Sequence, residues 1–239
     1  MIQLSDRLTA VAALVTEFGT LADVGTDHGY IPVFLAKEKR IERGIAMDVN
    51  QGPLLRAKEH IIQYGLEDVI QTRRSDGLEA LHRNEADTIV IAGMGGGLMT
   101  RILAAGKQTA ASAKELILQP QSELEAFRRF LQENKFQIVA ENMIFEDGKY
   151  YPMMRVIPKA KEHMDSMSLL EYRYGPLLLK EKHPVLIRYL QRQKVQKQGI
   201  LKNLTECGKG DTRLRQEELQ EELMNISKAL EYITEKEME

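Results

Sequence analysis

The sequence predicts an α/β fold: a Rossmann-like, seven-stranded, mostly parallel sheet that ends in an antiparallel hairpin strand, followed by an α-helical, coiled-coil-like C-terminal domain. Short apolar runs alternate with helical stretches along the first two thirds of the chain, which is typical of βαβ units. An Asp-Gly pair then joins two further strand-like segments, and beyond them only helical patterns remain. The 239 residues suffice for one large domain and an appendage.

Five apolar runs are predicted to form the parallel strands. They are residues 21–25, 44–48, 69–73, 88–93 and 116–119. Helices are predicted to begin near Tyr30, Pro53, Gly77, Gly97 and Glu123. Before the first strand, apolar residues at helical spacing up to Val15 predict an amphipathic opening helix, and Ser5 or Asp6 can cap its first turn.

The edge of the sheet distinguishes two kinds of Rossmann-like protein. Segments 137–145 and 151–157 flank a turn at 146–149 that contains Asp147 and Gly148, which predicts an antiparallel hairpin. A dehydrogenase sheet usually ends in another parallel strand, whereas class I methyltransferases end in such a hairpin. The hairpin therefore favours the methyltransferase form of the fold.

Two domains are predicted, at residues 1–160 and 165–239. In the second, a turn at 207–211 separates two helices, which we expect to lie antiparallel. The later helix has apolar residues spaced alternately four and three apart, as in a heptad seam: Leu219, Leu223, Ile226, Leu230 and Ile233. Basic residues dominate the earlier helix and acidic residues the later one. This segregation favours pairing of the two helices, and the alternative is a free basic face that binds a polyanion.

Composition narrows the classes of partner. The formal net charge is −2, so any nucleic acid must be held by a local basic patch. No apolar run approaches the ~20 residues of a membrane span, and Asp6 and Arg7 interrupt any secretory signal. Cys207 is the single cysteine, which favours a reducing cytoplasm. Cys and His are not clustered at metal-ligand spacing, so we expect neither a metal nor a membrane partner.

The loop after the first strand points to a cationic cofactor. Gly25 and Gly29 allow a tight turn and close approach of a ligand. The spacing is not that of the dinucleotide fingerprint, whose third glycine position is Pro32 here, and Asp27 would repel a pyrophosphate. The sulfonium and ammonium groups of S-adenosylmethionine would instead be attracted by carboxylates in this loop.

Acidic residues also end the next two strands. Asp48 is placed to accept hydrogen bonds from ribose hydroxyls, and Asp76 beside Gly77 suits the adenine amine. Each of the two acids could instead cap the following helix, and His28 could be a loop histidine without a functional role. The predicted cofactor-binding set is Asp23, Gly25, Thr26, Asp27, His28, Gly29, Asp48, Val49, Asp76, Gly77, Gly93, Met94 and Gly95.

The ends of the fourth and fifth strands are predicted to bind the substrate. The fourth runs into a glycine-rich segment at 93–97, which permits close approach of a flat substrate, although a plain strand-to-helix turn is the alternative. It lacks the Asn- or Asp-Pro-Pro-Tyr tetrapeptide of many amino-group N-methyltransferases, which argues against exocyclic-amine chemistry. The fifth strand ends at residues 119–121 on the same rim.

Several motifs carry a resemblance to a known family: GTDHGYIP at 25–32, GIAMDVN at 44–50, IAGMGGGLM at 91–99, LQPQ at 118–121 and DGKYYPM at 147–153. They resemble the bacterial tRNA (adenine-22-N1)-methyltransferases over nearly the whole chain. The resemblance implies a class I fold, S-adenosylmethionine as cofactor, and methylation of N1 of adenine 22 in tRNA. It leaves open a methyltransferase for a small molecule or protein, and an RNA-binding protein without catalysis.

The N1-methylated product would be cationic, so a carboxylate near the base would stabilise the developing charge. Asp27 is the candidate for this role, or for orienting the cofactor, and the full set of catalytic candidates is Asp27, Tyr30, Met94 and Tyr151. Tyr30 could equally be a packing residue. The predicted substrate-binding residues are Arg7, Gly95, Gly96, Arg101, Gln119, Pro120, Gln121, Arg128 and Arg129. We expect a monomer or weak homodimer.

Overall fold

The fold is described from a computed structural model, which covers residues 2–158, 166–207 and 212–235. These residues divide into two compact units, one before the gap at 159–165 and one after it. The predicted turn at 207–211 lies largely outside the described residues. Among the helices described, none has both the length and the apolar composition needed to cross a membrane.

The first unit is built on one seven-stranded sheet with the order β3-β2-β1-β4-β5-β7-β6. Its strands are β1 (Thr20–Val24), β2 (Arg43–Asp48), β3 (Ile70–Arg74), β4 (Thr88–Met94), β5 (Glu115–Pro120), β6 (Phe136–Glu146) and β7 (Lys149–Pro158). The first five pair in parallel, while β7 pairs antiparallel with both β5 and β6. The predicted seven-stranded, mostly parallel sheet is therefore confirmed, including its antiparallel hairpin strand.

The helices of this unit are α1 (Asp6–Ala13), α2 (Tyr30–Lys37), α3 (Gln51–Gln63), α4 (Gly96–Ala105), α5 (Lys107–Ala110) and α6 (Leu124–Glu133). Ser5 caps α1, because its hydroxyl accepts a hydrogen bond from the Leu8 amide. The helix predicted to begin near Gly77 is wrong. A turn forms there instead, because Gly77 has a φ of +53° and the Ser75 hydroxyl bonds to both ends of the turn, at Gly77 O and Ala80 N.

Alternate residues of each strand face two different core clusters, as a half-buried pleat requires. On one face, strand residues such as Met154 pack with the buried side chains of α4 and α6. On the other, residues such as Met153 pack with α1 and α2. Because parallel strands have helices on both faces, all functional loops are confined to the two edges of the sheet.

At the amino edge of the sheet, the buried Glu115 and the half-buried Asp87 accept hydrogen bonds from the backbone. Glu115 accepts hydrogen bonds from the amides of Thr16 and Glu17 and from two threonine hydroxyls. Asp87 accepts from the Thr20 amide and pairs with Lys114 at 3.0 Å. These acids fix the chain before β1 and at its first residue. Ligands of open α/β sheets bind at the opposite, carboxyl edge, where we therefore expect the active site.

The β6–β7 hairpin turns at Asp147 and Gly148, whose φ values are +48° and +78°. Two successive positive φ angles are the signature of the hairpin turn that matches the twist of the strands. The turn fixes the register, in which Ile144 lies opposite Tyr151 and Phe145 opposite Tyr150.

The second unit contains α7 (Leu169–Tyr174), α8 (Pro176–Lys180), α9 (Pro184–Cys207) and α10 (Arg213–Glu235). Gln216 of α10 donates to Leu204 O of α9, and Glu222 pairs with Lys197 at 2.6 Å. The later of the two α10 residues, Glu222, contacts the earlier of the two α9 residues, Lys197. The two long helices therefore run antiparallel, as predicted. The pairing of Lys197 with Glu222 supports attraction between the basic and the acidic helix.

Candidate active site

The loop between β1 and α2 has an unusual backbone. Gly25, His28 and Gly29 have φ angles of +75°, +67° and +64°. The amides of Gly25 and Thr26 donate to Met47 O of β2, which anchors the loop to the neighbouring strand. A side chain at Gly25 would have to displace the terminal methyl group of the flexible Met94 side chain, and the positive φ angle is what favours glycine there.

A cavity of about 290 Å³ opens beside this loop. It lies at the carboxyl ends of β1 and β4, where open α/β sheets bind ligands. Its lining combines carboxylates, one guanidinium and glycine backbone: Arg7, Leu8, Asp23, Gly25, Thr26, Asp27, Tyr30, Ile31, Ala92, Gly93 and Gln121. Eight predicted site residues therefore meet in one place, namely Arg7, Asp23, Gly25, Thr26, Asp27, Tyr30, Gly93 and Gln121.

Asp23 is the buried acid of this cavity. Burial raises the pKa of its carboxyl to about 6, and the nearby Asp48 carboxylate adds to the rise. The Thr26 hydroxyl offsets part of it, although this buried oxygen makes no hydrogen bond of regular geometry within the described residues. In contrast to Glu115, Asp23 accepts from no backbone amide of the residues that the structure describes, so the site holds a carboxylate that a cationic ligand would stabilise.

Asp27 is exposed and is held by a residue that the sequence did not suggest. Its Oδ1 lies 2.6 Å from Arg56 Nη2 of α3 and 3.6 Å from His28 Nε2. One turn after Arg56, the Nδ1–H of His60 donates to His28 O at 3.0 Å. Two side chains spaced four apart on α3 therefore clamp the loop that carries Asp27.

An aromatic cluster completes this side of the cavity. The His28 and Tyr30 rings stack with centroids 5.1 Å apart, and His60 lies 5.3 Å from His28 and 5.1 Å from Tyr30. Tyr30 is thus held by ring contacts on one side and lines the cavity on the other. The predicted packing role and the predicted functional role of Tyr30 are compatible.

The opposite wall is built from α1 and the end of β5. Gln119 is fully buried, and its Oε1 accepts hydrogen bonds from Gly93 N at 3.0 Å and from Arg7 Nη1 at 3.1 Å. The Arg7 guanidinium also lies 5.6 Å from the centre of the Tyr151 ring. Gln119 was predicted to bind the substrate, but it is fully buried and its side-chain oxygen accepts from Arg7 and Gly93, which it positions.

The acids predicted to line the cofactor site follow one edge of the sheet. The strand order places Asp76, Asp48 and Asp23 at the ends of three neighbouring strands. Asp48 accepts from Asn50 N at 2.7 Å, and Val49 O accepts from Arg74. A second cavity of about 350 Å³ is lined by Asp76, Gly77, Leu78, Glu79, Leu98, Arg101, Ile102, Ala105 and Gly106.

The glycine-rich start of α4 is more enclosed than predicted. Gly96 is buried and its amide donates to Ser122 O, while the Gly97 amide donates to Glu123 Oε2 at 2.9 Å. Gly96 is therefore not available for the substrate through its N–H group. Gly95 and Met94 are half-buried at the same rim, and Met94 packs against the α4–α6 core cluster.

Some of the predicted substrate contacts are wrong or already paired. Arg128 is fully buried and pairs with the buried Glu141 at 3.1 Å, so it belongs to the core and cannot reach a phosphate. Pro120 is also buried. Arg129 pairs with Glu125 on the same helix at 2.9 Å, which leaves it at the surface of α6. Within the described residues, His, Cys, Asp and Glu are not grouped in threes that could hold a metal.

Comparison with known proteins identifies the family of this chain. The family model for tRNA (adenine(22)-N(1))-methyltransferase, TrmK, matches residues 21–235. A tRNA (adenine(22)-N(1))-methyltransferase of Bacillus subtilis strain 168 is 33% identical over 224 residues, which cover 92% of each chain.

Two solved structures contain the methyl donor or its product. One is a Streptococcus pneumoniae protein in complex with S-adenosyl-L-methionine, 33% identical, with a TM-score of 0.84 over 95% of this chain and 100% of the other. The other is M. capricolum TrmK in complex with S-adenosyl-homocysteine, 26% identical, with a TM-score of 0.82 over 96% of this chain and 99% of the other. The chain therefore belongs to the tRNA (adenine(22)-N(1))-methyltransferase family, TrmK.

Proposed function

We propose that this protein transfers a methyl group from S-adenosylmethionine to N1 of adenine 22 in tRNA. The observation that carries the proposal is the cavity at the carboxyl edge, which brings the carboxylates of Asp23 and Asp27 together with Arg7 and Gly93. Membership of the family and the ligands of its solved relatives support the same activity.

The residues present fit the cofactor. A buried carboxylate with a raised pKa and a loop with positive φ angles suit a cationic ligand that approaches the backbone closely. When bound, S-adenosylmethionine supplies a methyl group on a positively charged sulfur. In the proposed arrangement, Asp48 accepts from the ribose hydroxyls, and Asp76 and Gly77 hold the adenine.

The work of the protein is mostly positioning. Neutral adenine N1 already has a lone pair, so no base must remove a proton before the methyl group is transferred. Asp27, fixed by Arg56, provides negative charge where the methylated base becomes cationic. Tyr30 and Tyr151 flank the ligands, and Met94 packs against the loop at Gly25.

The substrate base must leave its stack. N1 lies on the pairing edge of adenine, so a paired and stacked base cannot present it in line with a methyl group, and flipping costs a few kcal/mol. Arg7 lines the cavity and has donors besides the one that Gln119 accepts. We assign it, together with Arg101 and Gln121 at the same edge, to the tRNA or to the charged end of the cofactor.

Exposed basic residues of α9 are further candidates for phosphate contacts, for example Arg188 and Lys202. We also expect a cytoplasmic enzyme that needs no metal and is a monomer or weak homodimer. Light scattering and an assay in the presence of a chelator test the last two points.

Incubation with bulk tRNA and labelled cofactor, followed by identification of the modified nucleoside, tests the proposal. We expect N1-methyladenosine, and methylation of an exocyclic amine or of cytosine would contradict the chemistry. Asp27→Asn should lower turnover strongly and leave the melting temperature nearly unchanged, since Asp27 is exposed. Asp68→Asn is the matched control, because Asp68 is an exposed carboxylate at the amino edge. A methyltransferase for another substrate would leave tRNA unlabelled.

A further inference from the structure

Gln121 lies at the end of the candidate active site that is farthest from the acids assigned to the cofactor. Those acids, Asp23, Asp48 and Asp76, lie at the carboxyl ends of β1, β2 and β3, which are neighbours on one side of β4. Gln121 directly follows β5, on the other side of β4. A cofactor held along the three acids therefore leaves the β4–β5 side of the cavity for the base that is methylated.

The backbone of Gln121 is fixed beside an irregular point of the sheet. Its amide donates to Met94 O at 2.9 Å, and the residue before it, Pro120, is buried. The pairing of β4 with β5 shifts register at Gly93, whose φ is +81°. Such bulges are over-represented next to active sites, where they redirect side chains. Gly93 and Gln121 both line the cavity at this point.

The side-chain carboxamide of Gln121 is available to a ligand. The residue is exposed and lines the cavity, and its side chain makes no hydrogen bond with any residue that the structure describes. Gln119, two residues earlier, is instead fully buried, and its oxygen accepts from Arg7 and Gly93. Of the two glutamines that flank Pro120, Gln121 is therefore the one that can contact the base.

The reaction restricts how the protein can hold an adenine. N1 must face the methyl group, so the hydrogen bonds that orient the base have to come from another edge. On the edge that carries N7, adenine offers one acceptor, N7, and one donor, the 6-amino group, and a carboxamide matches both at once. A guanidinium can only donate and a carboxylate can only accept. Among the described residues that line the cavity, Gln121 is the one carboxamide.

We propose that Gln121 binds the N7 edge of the target adenine: its oxygen accepts from the 6-amino group and its nitrogen donates to N7. The proposal rests on the proposed function. Two hydrogen bonds on this edge fix the orientation of the base while N1 stays open to the methyl donor. Guanine carries two acceptors on the same edge, so its O6 would face the oxygen of Gln121. Gln121 is thus a specificity-determining residue that acts on the base and leaves cofactor binding unaffected.

The test removes each partner of these hydrogen bonds in turn. One tRNA transcript carries adenosine at position 22 and the other 7-deazaadenosine, which has a C–H group in place of N7 and keeps N1 and the 6-amino group. Gln121→Met keeps the length of the side chain without its hydrogen bonds, and Gln121→Glu replaces the donor by an acceptor. Gln71→Met is the matched control, because Gln71 is an exposed glutamine that lines a different cavity. The single-turnover methylation rate, the Kd for S-adenosylmethionine and the melting temperature are measured for each protein.

We expect the wild type to methylate the 7-deazaadenosine transcript about tenfold more slowly than the adenosine transcript. Gln121→Met should be about tenfold or more slower than the wild type on adenosine, with almost no further loss on 7-deazaadenosine. Gln121→Glu should be at least as slow on adenosine, because a carboxylate cannot donate to N7. Gln71→Met should behave like the wild type, and the Kd for the cofactor should be the same in all four proteins.

An equal loss on 7-deazaadenosine in the wild type and in Gln121→Met would overturn the proposal, and so would a wild type that methylates both transcripts equally fast. Either result would leave the proposed function intact, because adenosine would still be methylated. The comparison within the wild type needs no variant, so it tests the proposal even where a substitution lowers the melting temperature.

Two further results would contradict the role of Gln121. A weaker Kd for S-adenosylmethionine in Gln121→Met would assign the residue to the cofactor. A wild type that binds the cofactor but leaves the adenosine transcript unmethylated would overturn the proposed function, and the role of Gln121 with it.

Discussion

Asp23→Asn should make the protein without cofactor more stable at neutral pH and weaken its binding of the cofactor. Burial raises the pKa of the Asp23 carboxyl from 3.8 to about 6. At pH 7 the folded protein therefore holds a charge in a place that disfavours it. Asparagine has nearly the same shape and removes that charge.

The magnitude follows from the linkage between protonation and folding. A rise in pKa from 3.8 to about 6 corresponds to a cost of about 3 kcal/mol once the group is ionised. Below pH 4 the carboxyl is protonated in both the folded and the unfolded state, so the cost is absent. Between pH 4 and 6 the unfolded chain releases its proton first and stability falls. Above pH 6 the whole cost applies.

Urea unfolding of the cofactor-free protein from pH 4 to 8 measures this difference. We expect Asp23→Asn to gain up to about 3 kcal/mol relative to the wild type as pH rises through this window. The gain is an upper value because the new amide also needs hydrogen-bond partners. Asp68→Asn, an exposed counterpart, should show no such trend. A constant difference between Asp23→Asn and wild type across the range would refute the reasoning.

Three other predictions address the core, the loop and the RNA. Arg128→Met alone should destabilise by about 3–5 kcal/mol because it removes the guanidinium that pairs with the buried Glu141 carboxylate, and adding Glu141→Leu should restore most of this in urea unfolding. Gly25→Ala should cost about 1–3 kcal/mol and weaken cofactor binding in calorimetry, whereas Gly65→Ala, also at positive φ but in open space, should only destabilise. Binding of tRNA should weaken with salt with a log–log slope of about −3 or steeper, and a flat response would contradict phosphate contacts.

The fold was predictable because its signals are local. Apolar runs separated by helical stretches define the five parallel strands, and Asp147-Gly148 defines the hairpin and its register. The helix expected near Gly77 failed because a single side chain, Ser75, bonds to both ends of a short turn. The spacing of apolar residues cannot reveal a side chain whose hydrogen bonds to the backbone replace those of a helix.

The candidate site was predictable only in part. The glycines and acids at strand ends follow from topology, since parallel strands end at one edge. Arg56 and His60 were missed because the helix α2 and the strand β2 separate them in the sequence from their partners, Asp27 and His28. Their spacing of four on the helix after Asp48 was the available signal.

Arg128 was misjudged because its charge suggested the surface. It lies on the same helical stripe as Leu124 and Leu131, and that stripe faces the sheet. The carboxylate that makes its burial tolerable, Glu141, comes from β6, outside the helix itself. A basic residue in an apolar stripe is therefore better interpreted as half of a buried pair until its partner is found.

Gln119 joins the first helix to the interior of the sheet, and this has a practical consequence for protein production. The family match begins at residue 21, and α1 lies before it. A shortened clone that starts at that boundary would lack Arg7 and Leu8 from the cavity wall, and it would uncover the core residues that pack with α1, such as Met153. The Gly93 amide would still donate to the side chain of Gln119, but that side chain would have lost Arg7 as its second donor. A clone used to study this enzyme should therefore include all of α1.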